Sequence, residues 1–305
     1  MRVLRGSRVG RSDKVVGILS MGQPKMGGKE TLSLFLKGNE DVRLSFLGFV
    51  DGDGSGAGRL GELIRERHPA LSRIQTDVEP CWRSDLLLQQ LRDAPAPADL
   101  REKGLADDRH LAAQYQSRLF RARPDVVVFS LEPEVRNVLW RHMERGYLFF
   151  PPPGREQTWA AAQQETFLRE FSSAGLRSVA EFKQNFIQLI REIKRRLDAH
   201  VVVFNCSSFD PEERTYDYHG VDDPLSLRVH RFNLALIEIS AEEGISILDV
   251  DRLVAEIGGE RHVSRALRYS REACEVICGE FVRILQDIGF FENRPLVMQV
   301  GQAGR

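Results

Sequence analysis

DVVVFSL, at residues 125–131, and HVVVFNC, at residues 200–206, are short continuous runs of apolar and largely β-branched residues. Such runs are typical of strands that are covered on both faces. Three further apolar runs occupy residues 15–21, 42–50 and 245–250. The sequence therefore predicts five strands in a sheet whose two faces are both buried.

Helical patterns accompany these strands. Residues 58–68 follow the second run and residues 179–199 precede the fourth. Residues 225–243 precede the fifth run and residues 270–288 follow it. Strands that alternate with helices imply a parallel sheet with helices on both faces. Because crossovers between parallel strands are right-handed, few topologies remain. We predict an α/β fold, a three-layer α/β/α sandwich around a five-stranded parallel sheet of flavodoxin-like topology.

The chain of 305 residues is longer than five strands and their helices require. We assign the surplus to two insertions, at residues 92–120 and 146–177, within a single domain that spans residues 14–291. Residues 1–13 are interpreted as an N-terminal extension and residues 292–305 as a polar C-terminal tail. The second insertion begins GYLFFPPPG and follows the third strand. It is either a lid or partner-docking surface, or a flap that only covers hydrophobic surface.

The charges of the chain nearly cancel, since 43 Lys and Arg stand against 44 Asp and Glu. That balance argues against a nucleic-acid binder, which usually carries a basic excess. No apolar stretch approaches the roughly 18 residues of a membrane span. The cysteines are scattered without zinc-ligand spacing, so no metal is predicted. We expect a cytoplasmic protein that binds neither nucleic acid nor membrane.

The turn after the first predicted strand nearly matches a phosphate-binding P-loop. Gly22 and Gly27 have the required separation, but Gly28 stands where the motif has lysine, and Pro24 removes a backbone donor. A glycine-rich turn that leads into a helix can still hold an anion. Anion or nucleotide binding between Gly22 and Lys29 therefore stays open as an alternative.

The turn after the second predicted strand has the ligand spacing of a calcium-binding loop. Asp51, Asp53, Ser55 and Glu62 occupy ligand positions of an EF-hand loop. An EF-hand loop joins two helices, however, whereas a strand is predicted before this turn. We interpret the segment as a glycine-rich turn, keep calcium as a minor alternative and predict no other cofactor.

The turn after the third predicted strand carries two carboxylates. Glu132 and Glu134 stand at the carboxyl end of a central strand. Paired carboxylates can separate their pKa values and then do acid/base chemistry. In a turn that begins a helix, the same residues would only interact favourably with the helix dipole. Both interpretations remain open, and the second needs no further partner.

The turn after the fourth predicted strand holds hydroxyls, carboxylates and a histidine. Ser207 or Ser208 could act as a nucleophile, with His219 as its base and Asp217 or Asp222 as the third group. Catalytic triads, however, assemble from distant segments. Serine and aspartate are also ordinary turn residues.

The loop after the fifth predicted strand contains His262 and Tyr269. A general base would be useful there, although a lone histidine in a loop is more often simply exposed. Ser270, three residues before Ala273, has the position of an N-cap for the last helix.

The order of these segments resembles the SGNH (GDSL-type) hydrolase superfamily over residues 14–290. ILSMGQPKMGG in the first turn is similar to the family's strand-Gly-Asp-Ser-x-x-x-Gly block, with Gly22 and Gly28 on its two glycines. FVDGDGSGAGRLGELI is similar to the block that carries an oxyanion-hole glycine, represented by Gly52 or Gly54. RPDVVVFSLEPEV is similar to the block Pro-Asp-apolar run-Gly-x-Asn-Asp.

The resemblance implies the fold but does not supply the catalytic residues. The family's nucleophilic serine falls on Pro24, and the aspartate before it falls on Gln23. Its oxyanion-hole asparagine falls on Glu134, whose carboxylate accepts hydrogen bonds where donors are needed. In place of the final Asp-x-x-His the chain reads Ala-Leu-Arg-Tyr, which ends at Tyr269. The resemblance thus implies a divergent member without the usual triad.

We predict an SGNH-hydrolase-like protein that binds a ligand or a protein partner without hydrolysing it. The residues of its ligand crevice would be Gly22, Gln23, Pro24, Gly52, Gly54 and Asn137. The partner would be a small molecule, or a protein docked through residues 146–177. The alternative is an ester or acyl hydrolase, or an acyltransferase, with a relocated site. The residues of that site would be Ser207 or Ser208, His219, Glu132 or Glu134, and Tyr269.

Overall fold

The computed structural model of this chain describes residues 35–36, 42–47, 57–67, 74–91, 95–209, 224–264, 268–289 and 291–292. In chain order, the strands are β1 (Phe35–Leu36), β2 (Val42–Leu47), β3 (Ile74–Glu79), β4 (Val126–Ser130), β5 (Leu139–His142), β6 (Leu148–Phe149), β7 (Phe171–Gly175), β8 (His200–Phe204), β9 (Ser246–Leu248), β10 (Val263–Ser264), β11 (Arg268–Tyr269) and β12 (Phe291–Glu292). The helices are α1 (Ala57–Arg67), α2 (Ser84–Gln90), α3 (Ala98–Glu102), α4 (Asp108–Tyr115), α5 (Leu119–Ala122), α6 (Glu132–Arg136), α7 (Arg155–Thr158), α8 (Ala161–Glu170), α9 (Val179–Arg196), α10 (Leu225–Glu243), α11 (Val250–Glu256) and α12 (Arg271–Asp287).

Five strands form one parallel sheet, in the spatial order β3-β2-β4-β8-β9. Counted along the chain, this is the order 2-1-3-4-5 of flavodoxin-like domains. The central strand β4 pairs in parallel with β2 on one side and β8 on the other, so that Val126 stands opposite Leu44 and His200. The predicted α/β fold class is confirmed.

Aromatic side chains of the central strands divide the core into two layers. Phe129 of β4 contacts Phe186 of α9, with ring centroids 5.4 Å apart. Phe204 of β8 and Phe46 of β2 instead contact Phe281 of α12, at 5.4 and 6.0 Å. Phe46 pairs with the residue that precedes Phe129, so the two rings leave the sheet on opposite faces. α9 and α12 therefore cover opposite faces, as the predicted three-layer sandwich requires.

One strand of the sheet was missed by the sequence pattern. β3 pairs with β2 over its whole length and lies at the edge of the described sheet. Gln75 is exposed and Thr76 and Asp77 are half-buried, so the strand has no continuous apolar run. The predicted strand at 42–50 is present as β2, and β2 comes first along the chain among the described strands of the sheet. The predicted strand at 15–21 lies outside the described residues.

The predicted helices at 58–68, 179–199, 225–243 and 270–288 are present as α1, α9, α10 and α12. A capping box begins α9: the Ser178 hydroxyl accepts the Glu181 N–H at 3.3 Å, and the Glu181 carboxylate accepts the Ser178 N–H at 3.1 Å. Gly244 ends α10 with a φ of 59°, a left-handed conformation that favours glycine. Among the described helices, none combines the length and the apolar character that a bilayer crossing requires.

The two predicted insertions pack against each other around a second hydrophobic cluster. β6 and β7 of the second insertion form an antiparallel sheet with β5, which precedes that insertion and lies between them. Helices α3 and α4, from the first insertion, cover this cluster. The insertion cluster consists of Leu86, Leu100, Leu105, Ala106, Leu111, Tyr115, Leu139, Leu148, Phe149, Phe167 and Phe171. The aromatic residues Phe149, Phe167 and Phe171 of residues 146–177 are thus buried against the chain itself.

Candidate functional site

Two turns at the carboxyl edge of the parallel sheet carry charged side chains. Residues 80–83 follow β3, and residues 131–137 follow β4. The strand order reverses between β2 and β4, so the turn after β4 adjoins that point and the turn after β3 lies one strand away from it. Ligands of open α/β sheets bind at such a point. The predicted site residues that lie outside the described residues are Gly22, Gln23, Pro24, Gly52, Gly54 and His219.

Glu134 is a carboxyl group buried at this edge. It lies in the first turn of α6 and is 3% exposed. One of its oxygens, Oε1, accepts the backbone N–H of Ser84. Burial raises the pKa of Glu134 to about 7, although hydrogen bonds from Ser84 and the positive charges of Arg83 and Arg228 oppose the rise. Near neutral pH this carboxyl is therefore present in both ionisation states.

Arg83 holds the surrounding chain segments together. Its side chain is 1% exposed and binds both carboxylate oxygens of Asp85 at 3.0 Å. The same guanidinium donates to the carbonyl oxygens of Asn137 and Gly175, each at 2.9 Å. Arg177 also contacts the Asp85 carboxylate. The turn after β3 is thus fixed to the end of α6 and to the end of β7.

Arg228 and Asn137 support the same region from two other sides. Arg228, on α10, donates to the carbonyl oxygens of Val135 at 2.7 Å and of Arg177 at 2.5 Å. The Asn137 amide nitrogen donates to the carbonyl oxygen of Trp82 at 2.7 Å. Asn137, predicted as a residue of the ligand crevice, therefore uses this donor to hold the turn after β3.

Several buried side-chain atoms in this part of the chain have no hydrogen-bond partner among the described residues. They include Trp82 Nε1, Ser84 Oγ, Glu134 Oε2 and Arg177 Nε. A buried polar atom without a partner costs about 1–3 kcal/mol, so such atoms are uncommon in folded proteins. Among them, Glu134 Oε2 is the carboxyl oxygen at the edge of the sheet, whereas the indole of Trp82 stacks on Phe150 of the second insertion, with ring centroids 4.6 Å apart.

Sequence reasoning did not identify Arg83 or Arg228. Arg228 had a usable signal, because it shares the buried face of α10 with Phe232 and Ala235. A charged residue within an apolar helical stripe indicates a buried, fully paired group. Arg83 had no such signal, because it follows β3, the strand that the pattern missed.

The serines of the predicted nucleophile set lie in a second group at the same edge. Ser208 donates its hydroxyl to Asp251 at 2.9 Å and its backbone N–H to the same oxygen at 2.7 Å. Ser207 donates its N–H to the Tyr269 hydroxyl at 3.3 Å, and its own hydroxyl accepts the N–H of Phe209. Burial raises the pKa of Tyr269 well above its ordinary value.

Of the predicted acidic residues, Glu132 lies 4.0 Å from Arg136 on its own helix. Besides burial, the charge of Glu132 helps to raise the pKa of Tyr269, so Glu132 lies near the serine group. Glu134 belongs to the group around Arg83. Ser207, Ser208 and Tyr269 are therefore brought together. Glu134 is placed with a different set of partners.

A hydroxyl–imidazole pair is present elsewhere, before the last helix. The Ser270 hydroxyl lies 2.8 Å from Nδ1 of His262, which is buried. Nε2 of the same ring is 4.0 Å from Glu272, whose side chain is 70% exposed. Ser270 also accepts the N–H of Ala273, so the predicted N-cap is present. Sequence reasoning noted both residues but not their pairing, which depends on the β10–β11 hairpin.

The insertions carry a charge cluster of their own beside a cavity of about 290 Å³. The lining residues are Lys103, His142, Met143, Glu144, Arg145, Arg169 and Glu170. Asp99, 5% exposed, accepts hydrogen bonds from Arg145 and from the Tyr147 hydroxyl, both at 2.9 Å. Lys103 contacts the Glu170 carboxylate and lies 3.5 Å from Asp99.

Asp99, His142 and Glu170 could each offer one ligand atom to a metal ion. Nε2 of His142 is 3.7 Å from Asp99 and 3.8 Å from Glu170. Nδ1 of the same ring, however, accepts the backbone N–H groups of Glu144 and Arg145 at 3.3 and 3.2 Å. A neutral imidazole whose Nδ1 accepts is protonated at Nε2, the atom that a metal would need. The cluster therefore fits an ion-pair network better than a metal site.

Several solved hydrolase structures are similar to this chain. A lipase/acylhydrolase from Enterococcus faecalis is 13% identical with a TM-score of 0.49, and the match covers 83% of this chain and 99% of that one. An α/β hydrolase enzyme from the metagenome of Lake Arreo is 12% identical with a TM-score of 0.45, over 82% and 95%. An acetylxylan esterase from Geobacillus stearothermophilus is 13% identical with a TM-score of 0.45, over 84% and 97%. No family model and no curated protein matches the sequence.

Proposed function

We propose that this chain is an SGNH-hydrolase-like protein that binds a small, neutral, hydrogen-bonding ligand at the carboxyl edge of its sheet. We further propose that it does not hydrolyse esters there. The sheet has the five-stranded parallel order that the resemblance implies. The proposal rests on the burial of Glu134, which is 3% exposed, and on its Oε2 atom, which has no hydrogen-bond partner among the described residues.

The partnerless atoms define the chemistry of the ligand. Arg177 Nε is a donor and calls for an acceptor on the ligand. Glu134 Oε2 accepts when the carboxyl is ionised and donates when it is protonated, and burial raises its pKa to about 7. A neutral group with both a donor and an acceptor, such as an amide or a hydroxyl, satisfies either state. An anionic ligand would be repelled by the ionised form.

The absence of ester hydrolysis is inferred from the partners of the serines. Ser208 donates its hydroxyl to a carboxylate and Ser207 accepts a backbone N–H, so neither is bonded to an imidazole among the described residues. An oxyanion hole needs preorganised donors. Glu134, which the resemblance places at the oxyanion-hole asparagine, is half ionised near neutral pH and is a poor substitute.

A second candidate function rests on the pair formed by Ser270 and His262. A hydroxyl 2.8 Å from an imidazole, with Glu272 on the other ring nitrogen, has the order of a nucleophile, a base and an acid. In this candidate the chain is an ester or acyl hydrolase with a relocated site. The hydroxyl also caps α12, which favours a structural role for it.

One set of measurements separates the two candidates. The full chain is tested for turnover of p-nitrophenyl acetate and for labelling by a fluorophosphonate probe, with the labelled peptide identified by mass spectrometry. Acetamide, a neutral amide, is tested as ligand by thermal shift on the wild type and on Glu134→Leu. Glu165→Gln, at an exposed glutamate, is the matched control.

The proposed function requires no turnover above buffer, no labelled serine, and a stabilisation by acetamide that Glu134→Leu loses and Glu165→Gln keeps. Labelling of Ser270, lost in His262→Ala together with turnover, would establish the second candidate instead. If acetamide stabilises neither the wild type nor the control, the ligand proposal is wrong.

A further inference from the structure

Helix α10 presents an apolar seam to solvent. Leu227, Leu234 and Ile237 are 40%, 62% and 57% exposed. His230 and Ala241 complete the series, and both are exposed as well. The five positions are alternately three and four residues apart, which is the spacing of a coiled-coil seam. We call these five residues the α10 seam.

The seam is not the helix's packing face. α10 buries a separate stripe, which includes Val229, Phe232 and Ile239, against the rest of the domain. On the neighbouring helix α9, by contrast, exposed positions such as Gln188 and Arg191 are polar. Large exposed apolar side chains at regular spacing mark a contact surface. α10 therefore has two apolar faces: one packs against the domain, and the other is exposed in the described part of the chain.

We propose that two copies of this chain associate through the α10 seam in an antiparallel, two-fold arrangement. A two-fold contact uses the same patch on both copies, so each residue meets a different residue of the other copy. With the axis between Leu234 and Ile237, Leu234 of each copy packs against Ile237 of the other. The same axis brings His230 against Ala241. Leu227, at one end of the seam, then lies opposite Gly244, which ends the helix.

The charges beside the seam select this partner and this orientation. Arg231 and Glu238 lie on the same flank of the seam, seven residues apart. In the antiparallel pair, Arg231 of one copy stands beside Glu238 of the other, and the two-fold axis repeats the contact. A parallel pair would place these charges beside the uncharged Ser226 and Asn233. Glu238 already lies 3.0 Å from Lys183 on α9, and the contact is exposed enough to be shared.

The size of the seam sets the strength of association. From Leu227 to Ala241 the helix rises about 21 Å, at about 1.5 Å per residue. One helix face of this length buries less than the ~800 Å² per partner of a standard stable interface. We therefore expect a reversible dimer with a dissociation constant in the micromolar range.

Sedimentation equilibrium of the full chain, over a range of micromolar concentrations, tests the proposal. The mean mass of the wild type should rise from monomer towards dimer with concentration. Leu234→Glu should weaken association by at least about tenfold, because it places a charge at the centre of the seam. Leu168→Glu is the matched control, since Leu168 is 66% exposed on α8, away from the seam. This control should associate like the wild type.

A charge exchange tests the orientation. Arg231→Glu should weaken association several-fold, and the double variant Arg231→Glu, Glu238→Arg should restore it, because each flank again pairs opposite charges. A wild type that stays monomeric at every concentration would overturn the proposal. So would equal losses in Leu234→Glu and Leu168→Glu, or a double variant that is no better than Arg231→Glu. Circular dichroism of each variant verifies that it is folded.

Discussion

Two regions of this molecule bury a carboxyl group almost completely, and they do so with opposite electrostatic results. Glu134, at the carboxyl edge of the parallel sheet, is 3% exposed, and Asp99, beside the insertion cluster, is 5% exposed. Burial raises the pKa of Glu134 to about 7. Burial also acts to raise the pKa of Asp99, but a hydrogen bond from Tyr147 and the charges of Arg145 and Lys103 outweigh it, so this pKa lies below its ordinary value.

The difference comes from what each carboxylate touches. Asp99 receives a hydroxyl and a guanidinium directly, each at 2.9 Å. The hydrogen bonds that Glu134 receives come from uncharged groups of Ser84, whereas the nearby guanidiniums are bonded elsewhere: Arg83 to Asp85, and Arg228 to backbone carbonyls. Burial makes ionisation of a carboxyl group less favourable, and hydrogen-bond donors in direct contact with the carboxylate can outweigh that effect. Asp99 therefore has charged donors in direct contact, whereas the hydrogen bonds to Glu134 come from an uncharged residue.

The two groups must therefore affect stability with opposite dependence on pH. The raised pKa of Glu134 means that its contribution is fully present below the unfolded-state pKa, near 4.5, and is lost as pH rises towards 7. The lowered pKa of Asp99 means that its contribution is present above the unfolded-state value, near 3.8, and is lost as pH falls through the folded-state value.

Of the three substitutions, removing Arg83 should destabilise the protein most. It should act on the region around Glu134 and not on the region around Asp99. Arg83→Ala leaves Asp85 buried without its bidentate partner and removes the donor to two carbonyl oxygens. We expect a loss of about 3–5 kcal/mol in the free energy of unfolding, measured in urea at pH 7. The control is Arg101→Ala, whose ion pair with Asp108 is exposed and should cost less than about 1 kcal/mol. Equal losses in both variants would contradict the assignment.

Replacing Glu134 with glutamine should remove the pH-dependent contribution that this carboxyl group makes to stability. The side-chain oxygen remains as acceptor for the Ser84 N–H, but no charge can form. A pKa shift from 4.5 to about 7 corresponds to about 3 kcal/mol. Glu134→Gln should therefore exceed the wild type in unfolding free energy by an amount that grows to about 3 kcal/mol between pH 4.5 and pH 8. A difference that stays constant across this range would show that Glu134 does not titrate there.

The same comparison shows which parts of the structure a sequence can reveal. The central strands β4 and β8 were predicted because both faces are covered, which requires continuous apolar runs. β3 was missed because an edge strand tolerates polar residues such as Gln75 and Asp77. The position of Glu134 at a strand end followed from its order in the chain.

The partners of these groups could not be predicted in the same way. Arg83 bonds to residues 54 and 92 positions away along the chain, and the donors of Asp99 come from a hairpin 46 and 48 positions away. Pairings over such distances depend on the packing of whole elements and leave no periodic signal. The sequence therefore located one carboxylate but gave no information on the sign of its pKa shift.

Asp99→Asn should change the stability of the protein least of the three substitutions. It tests how Asp99, in the region of the insertions, contributes to stability at different pH. The variant keeps the shape of the side chain but weakens the charge-assisted bonds to Arg145 and Tyr147, each worth about 1.5–3 kcal/mol when fully lost. We expect the free energy of unfolding to fall by about 2 kcal/mol at pH 7, and this loss should shrink as pH falls below 4. Amide hydrogen exchange in β5–β7, compared with that in β4, measures the local loss of stability.

Asp108→Asn is the control for this variant, because the Asp108 side chain is 78% exposed and its loss should be small at every pH. The decisive outcome is the direction of the pH dependence. If Asp99→Asn gained stability as pH rose, as Glu134→Gln should, then burial alone would govern both carboxylates and the donors around Asp99 would not matter. A loss at neutral pH that disappears in acid requires that those donors, and not the depth of burial, fix the sign. On that condition the pKa values of Glu134 and Asp99 differ because Asp99 contacts Arg145 and Tyr147 directly, whereas the hydrogen bonds to Glu134 come from Ser84.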